Sequence, residues 1–242
     1  MCGQLYILQD EVCVLYYGTN FICTKLCAEM EVTMNIFLIR HGRQSSQLCN
    51  VDVNLAVEGR EQAKLLGKRL SEYGIDCLYS SDLLRARETA EIAKIYLGNV
   101  DYRIRPELRE IDFGRMTGNS DEYNNMAFAD FKKKRMELSE DLAFPGGECG
   151  QDIVNRVRDV LEEMIHSGKK RIAVVTHGGV IRSIVTDILG MPQSKKLLFA
   201  VSLENTSITQ LRFDQDYQRF YLERFNDFAH LETNNNLLRR SW

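Results

Sequence analysis

From Met34 onward the sequence predicts an α/β fold, a three-layer sandwich with a mostly parallel sheet, helices on both faces and an antiparallel edge strand. Two observations carry the prediction. Short apolar runs alternate with stretches of helical period, as in strand–helix–strand units. The last two runs instead flank a short polar turn, as in a hairpin. Residues 35–39 (NIFLI) read as a buried strand, and residues 59–73 as a helix with Ala63, Leu66 and Leu70 on one face. Residues 77–79 form a short strand, followed by a helix from about 84 to 96 that carries Ala86, Ala90 and Ala93. Residues 121–136 look helical but polar, whereas 148–166 are strongly amphipathic through Ile153, Val157, Val160, Leu161 and Met164. Residues 171–175 are a strand and 180–189 a helix, and residues 207–213 and 219–225 flank DQDYQ as a hairpin closing one edge.

The 242 residues, 44% hydrophobic and 27% charged, suit a soluble globular protein with a sizeable core. Three prolines and no low-complexity linker place residues 34–242 in one domain. Residues 1–33 differ in texture, mixing aromatics and cysteines without a clear period, and are read as an N-terminal extension of uncertain structure. Met30 and Met34 both precede the first strand, so an upstream start would account for such an appendage. A net charge of -3 leaves no basic excess for a general nucleic-acid binder. Four of the seven cysteines fall within the first 27 residues without zinc-type spacing, and reduced thiols of a cytoplasmic protein are the reading. No apolar run is long enough for a bilayer, and Asp10 and Glu11 stand where a signal peptide would be apolar. Nothing in the sequence speaks to oligomeric state.

The strand FLIRHGRQ, residues 37–44, ends by setting Arg40 beside His41, with Gly42 letting the chain turn at once. A buried cation beside an imidazole is costly unless an anion compensates it. IAVVTHGG, residues 172–179, repeats the design, so two of the four histidines, His41 and His177, stand at the carboxyl ends of parallel strands. Ligands bind at that edge of open α/β sheets. Arg40 offers a planar fork of donors for phosphate oxygens, and Arg85, opening the helix after LYSSDLL, offers another. Helix N-termini after Gly42, Asp82 and Gly178 would add backbone N–H groups. The pattern calls for a phosphoryl group. His166 and His230 read as ordinary, the first ending a helix and the second in a polar tail. No acidic and histidine cluster has metal-ligand spacing, and no cofactor is called for.

These segments resemble the histidine phosphatase, or phosphoglycerate mutase-like, superfamily, from Met34 to about Thr209. Arg40-His41-Gly42 matches its RHG signature, LAVEGREQAKLLGKRL the following helix, and LYSSDLLRARETA the segment holding Arg85. PELREIDFG, PGGE and THGG follow in the family's order. The resemblance implies His41 as nucleophile, Arg40, Arg85 and His177 as donors to the transferred phosphoryl group, and Glu110 as proton donor. Without it, Glu107, Glu110 and Asp112 are equivalent candidates. Gln47 falls where an asparagine often joins the phosphate pocket, and Arg43 and Gln44 replace the usual acid and small hydroxyl residue. Arg43 either points into solvent or attracts a substrate with more than one anionic group. Residues 115–144 should partly cover the site, with Lys132 to Arg135 a solvated helix face. This cover is shorter than in the mutases, which favours water as acceptor. The implied function is a phosphomonoesterase acting on a small phosphorylated metabolite through a phosphohistidine. The alternatives are a phosphoglycerate mutase and a phospholigand-binding protein without turnover.

Overall fold

The structure, a computed structural model, describes residues 5–8, 12–17, 20–22, 33–199 and 202–239. The chain divides into two compact units, Met1–Thr33 and Met34–Trp242. In the first, β1 (Leu5–Leu8), β2 (Val12–Tyr17) and β3 (Asn20–Ile22) form an antiparallel sheet with Leu5 opposite Leu15 and Tyr17 opposite Asn20. No strand period announces them, because LYIL and VCVLYY are apolar throughout. Their β-branched and aromatic content is what suits a pleated backbone.

The second unit is built on six strands: β4 (Met34–Arg40), β5 (Cys77–Ser80), β6 (Asp101–Ile104), β7 (Arg171–Thr176), β8 (Ile208–Asp214) and β9 (Arg219–Asp227). They lie in the order β6-β5-β7-β4-β8-β9, parallel through β4 and antiparallel for the closing hairpin. Alternation along β4 defines two cores. Ile36 and Leu38 join Ile153 and Val157 of α5 (Gly150–Ile165) and Val180 and Ile184 of α6 (Gly178–Ile188). Phe37 and Ile39 join Leu66 and Leu70 of α1 (Val57–Ser71) and Ala86 and Ala90 of α2 (Leu84–Lys94). Each fully buried aliphatic side chain contributes about 1.5–3 kcal/mol, so both faces hold their helices firmly.

Four features depart from expectation. Strand β6 was not anticipated: DYRI is short, half exposed and charged, as an edge that discourages pairing with another chain tends to be. The helix expected over 121–136 is two, α3 (Asp121–Ala127) and α4 (Ala129–Met136), broken at Phe128, whose ring packs on the core. Arg135 is not solvated; its guanidinium stacks 4.4 Å from the Phe144 ring centroid, and burial lowers its pKa. Beyond β9, 3-10 turns at Ala229–Leu231 and Asn235–Leu237 bury Leu231 and Leu237. His230 therefore does not sit in a polar tail. It contacts Thr206 Oγ1 at 3.1 Å and Arg69 at 3.3 Å, and burial, followed by the Arg69 charge, pushes its pKa down to about 4. Among the described residues no helix is long and apolar enough to cross a membrane.

Candidate active site

Strands β4 and β7 are neighbours with Arg40 opposite Thr176, so His41 and His177 leave the same sheet edge one step later. Their ring centroids are 5.0 Å apart, with the planes at 55°. Gly42 permits this turn because a Cβ there would lie 2.7 Å from the carbonyl oxygen of Gly59 in α1, closer than such atoms approach. The His41 backbone is held on both sides, its N–H donating to Thr176 O at 2.9 Å and its carbonyl accepting from Asn205 Nδ2 at 2.9 Å. His41 Nδ1 lies 2.7 Å from the Gly42 carbonyl oxygen. A carbonyl only accepts, so Nδ1 carries the proton and Nε2 the lone pair. Arg85 Nε donates to that Nε2 across a long 3.3 Å.

Arg85 is almost wholly buried, with Nη1 donating to Val51 O and Nη2 to Asn50 Oδ1, both at 2.9 Å. Arg40 Nη1 donates to Leu203 O, and its buried Nε has no acceptor within the protein. Burial, then the Arg239 charge, pushes the Arg40 pKa down to about 9, so it stays a cation at neutral pH. The imidazoles respond more strongly. Burial is the largest cause holding His41 well below its ordinary value, followed by Arg85 and Arg40. His177 is lowered likewise by burial, Arg85 and His41, is fully buried, and finds no protein partner for either ring nitrogen. Leaving such groups unsatisfied costs about 1–3 kcal/mol, which a phosphoryl oxygen would relieve.

Of the three candidate acids, only Glu110 lines the cavity over His41. Its Oε1 accepts from the backbone N–H of Ile111 at 2.9 Å and of Gly179 in the first turn of α6 at 3.0 Å. A Cβ on residue 179 would lie 2.4 Å from that oxygen, so glycine is what lets the carboxylate approach. Oε2 has a 3.4 Å contact with the same Gly179 N–H. Asp112 is engaged in its own turn with Gly114 N, and Glu107 lies off the cavity.

The cavity, about 950 Å³, is lined by Arg40, His41, Arg85 and Glu110 at its base, with Gln47, Asn50, Asn205 and Arg239 around them. His177 and Gly178 lie behind its surface; a Cβ on Gly178 would stand 3.8 Å from Arg40 Nε. Gln47 is on the exposed rim, and the amide that reaches Arg85 belongs to Asn50. Arg43 does not simply point into solvent: it lines the cavity, and its Nη2 donates to the carbonyls of Leu237 and Leu238 at 3.1 and 3.0 Å. From the cover, Asp121 reaches the cavity at the start of α3. Asn205 and Arg239 escaped the sequence reading because each enters from a loop remote in sequence, and Asn50 because its partner, Arg85, belongs to another element. Asn50 adopts the left-handed region, at φ 48°, which an asparagine tolerates better than most residues.

The sequence matches the model of the histidine phosphatase superfamily (branch 1) over residues 36–227. It is 34% identical over 211 residues to a phosphoglycerate mutase-like protein of Arabidopsis thaliana, covering 81% of this chain and 86% of that protein. It is 26% identical to a probable phosphoglycerate mutase of Serratia proteamaculans, covering 83% of this chain and 96% of that one. Among solved structures, a mycobacterial glucosyl-3-phosphoglycerate phosphatase superposes with a TM-score of 0.71 at 26% identity, covering 81% of this chain and 99% of that one. With the family's model spanning both histidine strands and everything between them, the chain belongs to the histidine phosphatase superfamily, branch 1.

Proposed function

We propose that this chain is a phosphomonoesterase that hydrolyses a small phosphorylated metabolite through a phosphohistidine at His41, in the cytoplasm and without a metal. The observation that carries the reading is the Nδ1 to Gly42 carbonyl contact at 2.7 Å, which fixes the tautomer whose Nε2 lone pair faces the cavity. His41 Nε2 attacks phosphorus in line, forming the N–P bond as the P–O bond to the alcohol breaks. The departing alkoxide takes a proton from Glu110, whose Oε2 is the less engaged carboxyl oxygen. Glu110, now a carboxylate, removes a proton from water as that water attacks phosphorus. The N–P bond then breaks, leaving inorganic phosphate and neutral His41. Arg40 and Arg85, preorganised by backbone carbonyls rather than recruited during reaction, supply donors to the equatorial oxygens together with His177. In this reading Gln47, from the rim, and the Gly178 N–H are assigned to the same phosphoryl group. A phosphoryl oxygen is a better acceptor for Arg85 Nε than the long contact to His41, so substrate itself would uncover the nucleophile.

The test is rapid-quench labelling with a phosphorus-labelled aryl phosphate. The intact chain should form an acid-labile, base-stable phosphoenzyme and release phosphate, and His41→Ala should do neither. Ordinary turnover by His41→Ala would sink the covalent route. Faster isomerisation of a bisphosphoglycerate-primed enzyme than phosphate release would make it a mutase, and phosphate binding without any labelling a non-catalytic binder.

A further inference from the structure

Part of the cavity wall is made by Asn236 and Arg239, in a segment far from both histidine motifs in sequence. Beyond the last 3-10 turn, Arg43 holds the carbonyls of Leu237 and Leu238, and Gln62 Nε2 donates to Leu237 O at 2.7 Å. One residue on, the Arg239 N–H donates to Oε2 of Glu204 at 3.0 Å. Gln62 and Glu204 are both wholly buried, so the segment is strapped down by groups that cannot swing away. What the strap delivers is Arg239, whose side chain lines the cavity beside Arg40 and His41. Among the described residues no carboxylate lies within ion-pair distance of its guanidinium.

Like charges gathered in this way are unfavourable unless an anion lies among them. Arg239 is, after burial, the main influence depressing Arg40, and it also bears on Arg182 and His41. The phosphoryl group already has Arg40, Arg85 and His177. The cavity, at about 950 Å³, is far larger than a phosphate and continues past the base to Arg239. Three acids line it as well: Glu110, which accepts from the Gly179 N–H, Glu58, which lies 3.9 Å from Arg43, and Asp121, which opens α3 on the cover. Each stands apart from the Arg239 guanidinium by more than ion-pair distance. We propose that Arg239 is a specificity-determining residue that binds a second anionic group, a carboxylate or a further phosphate, on the alcohol part of the substrate. The inference rests on the phosphomonoesterase reading for what the substrate is, and on the strap for where its second charge goes.

Matched esters test it. 3-Phosphoglycerate and glycerol 3-phosphate differ by a carboxylate, and propanediol bisphosphate and propyl phosphate by a phosphate. In the intact chain kcat/KM should favour the charged member of one pair about tenfold or more, and the responding pair identifies the group. Arg239→Ala should lower that preference about tenfold, mainly through KM, with Arg239→Lys restoring part and Arg239→Met, which keeps the stem, guarding against misfolding. Because the ratio is internal to each protein, general losses cancel. Equal losses on both members, or no preference in the intact chain, would overturn the role of Arg239. The same ratio read as calorimetric affinity in a His41→Ala background needs no turnover. A preference there without hydrolysis by the intact chain would overturn the phosphomonoesterase reading and leave Arg239's role standing. Hydrolysis of all four esters with a ratio indifferent to Arg239 would do the reverse.

Discussion

Two groups of arginines on the same sheet show opposite chemistry. At the β6 edge, Arg103 and Arg105 both reach Glu163, at 2.9 and 2.8 Å, and lie 5.7 and 5.8 Å from the Tyr79 ring centroid. Their pKa values rise because a carboxylate accepts from them, and the same bonds hold Glu163 down at about 2. At the carboxyl end of β4, Arg40 and Arg85 face carbonyls, an amide and an imidazole, and burial lowers both. The first group is already neutralised and serves the surface. The second retains uncompensated charge, held in place by neutral acceptors, and that is what an anion site requires. Counting arginines would not separate the two; counting their carboxylates does.

The largest expected effect breaks the pair of clusters apart. Arg85→Ala should lower kcat/KM on any phosphate monoester about a thousandfold while the protein stays folded, whereas Arg103→Ala should change activity little and stability by less than about 1 kcal/mol. Steady-state kinetics and urea titration of the two variants decide it, and similar kinetic losses would dissolve the distinction. Next comes Glu110→Gln, which should slow an alkyl phosphate about a hundredfold yet spare a nitrophenyl ester, whose leaving group needs no proton. Equal losses on both esters would mean that Glu110 shapes the pocket and transfers no proton.

A smaller effect distinguishes the clusters by pH. His41, His177 and His230 have native pKa values depressed from about 6.5, so below that pH the unfolded chain takes up protons that the native state refuses. Stability should be full above about pH 6.5 and fall as pH drops, by at most about 1.4 kcal/mol per pH unit for each histidine, with the His230 share exhausted near pH 4. The β6 edge is silent in this window, since Glu163 loses its charge in the unfolded chain only near pH 4.3 and in the native one near 2. Urea midpoints that are flat from about pH 7.5 to about pH 5 would contradict the assignment. The smallest effect belongs to the first unit. We take residues 34–242 as the working domain, so a chain beginning at Met34 should stay soluble and keep kcat/KM within about twofold. Loss of activity or solubility on removing residues 1–33 would show that the first unit supports the second.

What the sequence disclosed and what it withheld divide along the same line. The strands before His41 and His177 were readable because an apolar run stops abruptly at a polar pair, a contrast contained in eight residues. Arg85 was readable from its place at a helix start. Glu110 could be separated from Glu107 and Asp112 only by the family resemblance, and its position is physical: the backbone N–H of Gly179, on another element, donates to its carboxylate. Asn50, Asn205 and Arg239 were not readable, since their relevance lies in contacts with Arg85, His41 and the cavity across the fold. Strand β6 was hidden by the charges that protect its edge, and β1 to β3 by the lack of alternation.

The ladder between β4 and β7 has a consequence for how the protein can be followed in solution. The spacing of the two imidazoles is set by backbone bonds that run the length of both strands, from Asn35 opposite Arg171 to Arg40 opposite Thr176. Fraying of a loop leaves that spacing intact, and only separation of the central strands changes it. Enzymatic rate is therefore a gauge of the sheet interior: on heating it should hold until the strands part and then vanish in the same narrow interval as the far-ultraviolet signal.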